Sequence, residues 1–228
     1  MKKKIFLSLL IGICLIGFTG CGNAKVDLNN CLIEERNNLF TAQDELYCAT
    51  FSSGKREENY ALDGIVNNKT DFGIISFARL DRNPMTNDNY TYVVKINDQT
   101  FTGFLEKSTV DNSCSADLAF AAPDTATISV QVSFTGYTFN KELMNTSNNF
   151  AVDKTTAINI ANKELKNELK NLTSNKNNKI EAVMKVLKDY SAGEVKNYYW
   201  YVGVVSTNGD TLGVLINALN GEVTAKKV

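Results

Sequence analysis

Tyr198-Tyr199-Trp200-Tyr201-Val202-Gly203-Val204-Val205-Ser206, followed by Asn208-Gly209, Thr211 to Ala218, Asn220-Gly221 and Glu222 to Lys226, decides how the C-terminal part of the chain is built. The three runs are rich in β-branched and aromatic residues, which suit a pleated, half-buried surface. Asn-Gly is the strongest short hairpin signal, because both residues tolerate φ > 0 and the primed turn matches strand twist. Two such pairs in line predict a three-stranded antiparallel meander. Successive strand residues point to opposite faces. Trp200, Val202, Val204, Leu212, Val214 and Ile216 are therefore the predicted core, and Tyr199 and Tyr201 face the other way.

Upstream, Asp153 is a good N-cap residue, and Ala157, Ile158, Ala161, Leu165, Leu169 and Leu172 recur at helical spacing after it. Lys154, Lys163, Glu164, Lys166, Glu168 and Lys170 supply the wet side. This helix is expected to cover the apolar face of the meander. Ile180 to Tyr190 reads two ways. Ile180, Ala182, Met184 and Val186 alternate as in a strand, while Ile180, Val183, Met184 and Leu187 fit one side of a helix. The polar run Met144 to Asn149 marks a predicted domain boundary, with one domain over 31–147 and another over 148–228.

The first of these domains is dominated by strand signals: Glu45 to Phe51, Asp71 to Ala78, Tyr90 to Ile96, Thr100 to Leu105, Asp117 to Phe120 and Thr127 to Phe134. Asn97-Asp98 joins two of them as a hairpin. Cys31 to Phe40 is compatible with one short helix. Short strands with polar turns over this length predict a β-sandwich, immunoglobulin-like in kind. The expected fold class is thus mainly β with α+β: an N-terminal β-sandwich and a C-terminal helix on an antiparallel sheet.

The C-terminal residues carry a resemblance. Ala157-Ile158, Ala161, Tyr199-Trp200-Tyr201-Val202, Asn217-Ala218 and Gly221-Glu222-Val223 look like the pattern of a PepSY domain. Asn217 departs from it, since Asp is usual there. The resemblance implies a strand over Ile180 to Tyr190. It also implies a regulator or inhibitor of an envelope peptidase, and it brings no catalytic residues.

At the other end, Lys2-Lys3-Lys4 precede the apolar run Ile5 to Phe18 and the small-residue exit Thr19-Gly20-Cys21. A charged start, a short apolar core and such an exit make a secretory signal. The run is shorter than the roughly 20 residues that span a bilayer. Its end resembles the lipobox of bacterial lipoproteins. Thr19, Gly20 and Cys21 match, whereas Phe18 stands where Leu is usual. The resemblance implies a diacylglyceryl group on Cys21, cleavage just before it, and a membrane anchor at the extracytoplasmic face. Residues 1–20 are then the signal and 21–30 a tether. Two acyl chains suffice for stable anchoring where one is marginal. Without residues 1–20 the chain carries 21 basic and 25 acidic residues, a net charge of −4. That balance gives no case for nucleic-acid binding, which needs a basic face.

The chain has no histidine. Ser-His and Cys-His nucleophile pairs are therefore excluded, and transition-metal sites lose their commonest ligand. No Gly-rich phosphate loop, EF-hand or paired-carboxylate arrangement is readable, so no cofactor, metal or catalytic residue is expected. Cys31, Cys48 and Cys114 remain beyond the anchor. Cys48 and Cys114 sit in strand-like runs and either pair as a disulfide, which export permits, or stay as small buried hydrophobes. Candidate contact residues are Tyr199 and Tyr201, as an aromatic patch or as packing against the N-terminal domain. Arg56 and Tyr60 join them, in a charged loop that is a recognition element or a solvated tip. The expectation is a non-enzymatic protein- or peptide-binding lipoprotein, with peptidase regulation as the alternative.

Overall fold

The computed structural model describes residues 26–58, 60–81, 83–109, 112–120, 125–175, 177–189 and 197–228. A 3-10 turn, Leu28–Cys31, leads into β1 (Leu32–Gln43), β2 (Tyr47–Glu57) and β3 (Lys69–Arg79). Then follow β4 (Tyr90–Ile96), β5 (Gln99–Lys107), β6 (Ser113–Leu118), β7 (Thr127–Phe134) and β8 (Tyr137–Asn145). Helices α1 (Lys154–Glu164) and α2 (Lys166–Leu172) precede β9 (Ile180–Lys188), β10 (Tyr198–Ser206), β11 (Thr211–Asn217) and β12 (Val223–Lys227).

These strands form one sheet in the order β12-β11-β10-β9-β1-β2-β3-β6-β5-β4-β7-β8. The ladder then returns from β8 to β1, with Phe40 opposite Asn145 and Thr41 opposite Met144. The first eight strands are thereby a closed antiparallel barrel, and closure removes the free edges that two sandwich sheets would keep. The expected immunoglobulin-like β-sandwich with a helix on its own antiparallel sheet is corrected by this closure. β1 serves two neighbours on one edge. Its second half pairs with β8, and its first half pairs in parallel with β9, Glu35 opposite Met184 and Arg36 opposite Lys185. A bulge between Arg36 and Asn38 marks the change. The sheet β9–β12 is thus a continuation of the barrel wall through β1.

Phe40, Tyr47, Phe51, Phe77, Tyr90, Tyr92 and Phe139 fill the barrel with packed rings. Tyr47 stacks on Phe77 with centroids 5.0 Å apart, and Phe139 meets Phe77 edge-on at 5.4 Å. Outward positions such as Thr91, Lys95, Thr100, Glu106 and Glu142 are exposed. This is the reverse of a membrane-spanning barrel, whose apolar band faces outward.

The second core lies between the helices and β9–β11. It holds the predicted stripe Ala157, Ile158, Ala161, Leu165 and Leu169, and the predicted strand positions Trp200, Val202, Val204, Leu212, Val214 and Ile216. Asp153 caps α1 by accepting the Thr156 N–H at 2.7 Å. The Trp200 indole N–H donates to the Val152 carbonyl at 2.7 Å. Lys154 reaches the mostly buried Glu35 carboxylate of β1 at 2.6 Å, tying helix to barrel wall. The chain turns at both Asn-Gly pairs, but with only the glycines at positive φ, Gly209 at 88° and Gly221 at 78°, and not Asn208 or Asn220, so neither is the primed turn that was expected. Ile180 to Lys188 is a strand, and Leu32 to Phe40 is strand where a short helix was compatible.

Candidate functional site

One face of β9–β11 is closed by α1 and α2, and among the described residues the other is left open. Register carries that open face across into the barrel wall. Tyr201 of β10 lies between Lys185 of β9 and Leu215 of β11. Lys185 pairs with Arg36 of β1, and Arg36 with Gly54 of β2. In the adjacent row Arg56, Glu34, Val183, Gly203 and Gly213 stand side by side. Tyr199, Tyr201, Val183, Leu187, Val205 and Leu215 are all half-buried here.

The two strand glycines explain how Tyr201 lies. A Cβ on Gly203 would stand 2.6 Å from the Tyr201 hydroxyl oxygen, and one on Gly213 would stand 3.3 Å from its Cε2. The ring therefore rests flat across two strands, in a slot that only glycines leave open. The Lys185 Nζ sits 5.6 Å from the ring centroid, within cation–π range. Burial, and then the Arg36 guanidinium, push the Lys185 ammonium below the usual lysine range, with Glu34 opposing. Glu34 accepts from Arg36 Nε at 2.7 Å. Arg56 pairs with Asp117 at 2.7 Å and stacks over Phe72 at 4.5 Å, a ring that Arg36 also covers at 5.6 Å. The face thus presents tyrosine rings beside the Arg36, Arg56 and Lys185 cations, with Glu34 and Asp117 as counter-charges.

Of the sequence-predicted contact residues, Tyr199, Tyr201 and Arg56 fall on this face. Tyr60 lies at the end of the sheet, in the connection from β2 to β3. That connection is held by two buried carboxylates. The Asp63 and Gly64 N–H groups donate to Glu181 Oε1 at 2.9 and 2.7 Å, and the Asn67 N–H donates to Glu57 Oε1 at 2.5 Å. Gly64 has φ 73° and packs against Lys179, where a Cβ would meet the lysine Cβ at 2.0 Å. Burial, then Glu181 and Glu57, push the Tyr60 phenol up. An open hollow of about 600 Å³ in the same connection is lined by Glu58, Val66, Asn67 and Asn68.

Cys48 and Cys114 stand as thiols. Cys114 is part of the barrel core beside its partner Phe77, whereas Ala49, the neighbour of Cys48, is the residue of that pair which points inward. The two side chains thus lie on opposite faces of the wall, one strand apart on either side of β3. Cys21 lies outside the described residues.

Sequence reasoning missed Lys185, Arg36, Gly203, Gly213, Glu57 and Glu181. Gly203 and Gly213 were signalled, because glycine inside a β-prone run marks a close approach. The others depend on pairings between strands far apart in the chain. Among the described residues no helix is long and apolar enough to cross a membrane, and no group of three or more Cys, Asp or Glu is placed to hold a metal. The arrangement is suited to contact: rings and cations on a rigid sheet, with ordered backbone behind them. No protein-family model, curated protein or solved structure matches the chain.

Proposed function

We propose that the protein is an extracytoplasmic lipoprotein, anchored through a diacylglyceryl group on Cys21, which acts as a non-enzymatic protein- or peptide-binding module at the cell surface. The observation that carries the binding reading is the open sheet face. Tyr201 lies in its glycine slot beside Lys185 and Arg36, opposite a face that α1 and α2 close completely. Flat aromatic rings supply contact area at small entropic cost, and Arg is a preferred partner at such contacts. The cations suit a ligand segment bearing carboxylates or aromatic rings. The Cys21 anchor is supported by the residues of the lipobox resemblance alone.

A photo-crosslinking residue at Tyr199 in the full chain, in cells, tests the binding reading. It should give discrete adducts that Lys185→Glu abolishes. The same residue at Phe104, exposed on the barrel, should give none of them. Identical adducts from both positions, or adducts indifferent to Lys185, would overturn it. A second reading, regulation of an envelope peptidase, is favoured by where the PepSY-like residues fall. Of Tyr199 to Val202 on β10, Tyr199 and Tyr201 stand on that face, with Trp200 and Val202 in the core behind them, and Asn217-Ala218 and Gly221-Glu222-Val223 form the adjoining β11–β12 turn. A peptidase among the adducts selects this second reading.

A further inference from the structure

We infer that Tyr60, Leu62 and Ile65 form a second membrane contact, a rigid apolar tip that rests in the bilayer interface; this rests on the proposed anchor at Cys21. Three observations carry it.

The first is exposure. Tyr60 is 59%, Leu62 38% and Ile65 59% exposed, within six residues of chain. Elsewhere among the described residues large exposed apolar side chains occur singly along the chain, which needs no explanation, whereas a cluster does.

The second is rigidity. The backbone of the loop is pinned from Asp63 to Asn67 by the Glu181 and Glu57 carboxylates, which bind the Asp63, Gly64 and Asn67 N–H groups, and by the Asp63 carboxylate, which accepts the Ile65 N–H at 2.8 Å. Ordering a loop costs conformational entropy, and here the ordered loop leaves Tyr60, Leu62 and Ile65 in the open.

The third is position. The tip joins the end of β2 to the start of β3. Register puts that end beside the start of β1 and the start of β9: Glu34 is opposite Arg56, and Leu32 is opposite Ala182. The chain therefore enters β1 from the end that carries the tip. Val26, the first described residue, is only five residue steps from Cys21. Fully extended they reach about 18 Å, so an anchored molecule cannot move this end far from the bilayer.

A lipid surface suits the tip better than another protein does. Tyrosine belongs to the headgroup level, with its ring apolar and its hydroxyl wet. The nearby charges lean acidic, Glu57, Glu58, Asp63 and Glu181 against Lys69 and Lys179, so the contact is apolar and does not require anionic lipid.

The experiment uses the lipidated protein, purified from membranes and reconstituted into phosphatidylcholine vesicles with brominated acyl chains. The chain has one tryptophan, the buried Trp200, which gives a constant background. An Ile65→Trp variant should lose emission to the brominated chains and shift to the blue. A Phe104→Trp variant should do neither, and adding phosphatidylglycerol should change nothing. Protein that floats with the vesicles while Ile65→Trp is quenched no more than Phe104→Trp overturns the tip and leaves the anchor standing. A blue shift without quenching means that protein, a second copy included, covers the tip, and also overturns it. Protein that does not float overturns the anchor and the tip together. A Leu62→Asp/Ile65→Asp variant should still float but give protease access to the tip, and unchanged protection there would equally refute the contact.

Discussion

Replacing Glu181 by alanine should release the tip without opening the barrel. The Glu181 side chain is fully buried, and one of its oxygens accepts two backbone N–H groups, from Asp63 at 2.9 Å and Gly64 at 2.7 Å. Hydrogen bonds to a charged group contribute about 1.5–3 kcal/mol each, and both of these are only part-buried, so the lower end applies and the sum is about 3 kcal/mol. Each 1.4 kcal/mol is a factor of ten, so exchange of the Asp63 and Gly64 amides should speed up by roughly a hundredfold. Barrel amides such as those of Ile75 and Val130 should be unaffected, because their bonds lie within the ladder. Glu181→Gln keeps one acceptor oxygen and should lie between alanine and wild type. Hydrogen exchange followed residue by residue reads all of this. Unchanged exchange at Asp63 and Gly64 in the alanine variant would refute the claim that Glu181 pins the loop.

Gly203→Val should displace the Tyr201 ring, at an overpacking cost of about 1–3 kcal/mol offset partly by better strand propensity. Urea unfolding would measure the cost, and loss of the Tyr199 crosslinks would report the damaged face. Tyr137 donates to Asp44 at 2.7 Å, and that bond, then burial, push its phenol up to about 12. A raised folded pKa gives stability that is present below the ordinary tyrosine range near 10 and is lost as pH rises through about 12. Tyr137→Phe should abolish that alkaline loss, seen as the thermal midpoint against pH. Thiol titration of the denatured, unreduced protein should find Cys48 and Cys114 unbridged, because a disulfide needs Cβ atoms that face each other. A mass consistent with a Cys48–Cys114 bridge would contradict their placement on opposite faces.

The C-terminal strands were legible because local chemistry specified them. Two Asn-Gly turns, an Asp153 cap and a period-2 apolar pattern act within a few residues, and every predicted core position from Trp200 to Ile216 is buried. Barrel closure was not legible, because it rests on Phe40–Asn145 and Thr41–Met144, pairs more than a hundred residues apart. β1 itself was hidden by its polar run Glu34-Glu35-Arg36-Asn37-Asn38. The run is tolerated in a central strand because Glu35 meets Lys154 and Glu34 meets Arg36. The parallel pairing of β1 with β9 has no local signature, since parallel strands need long connections. For the same reason Lys185 and Arg36 became part of the contact face only through register, while Tyr199 and Tyr201 could be placed on it by strand alternation alone.

The measurement that bears most directly on the proposed function is the membrane partition of the Cys21→Ala variant. Wild-type protein should pellet with membranes, withstand a high-salt wash and enter the detergent phase on phase separation, as two acyl chains require. Cys21→Ala should leave the membrane fraction for the soluble one. A Cys21→Ala protein that stays in the detergent phase would contradict the lipoprotein reading and everything built on its anchor.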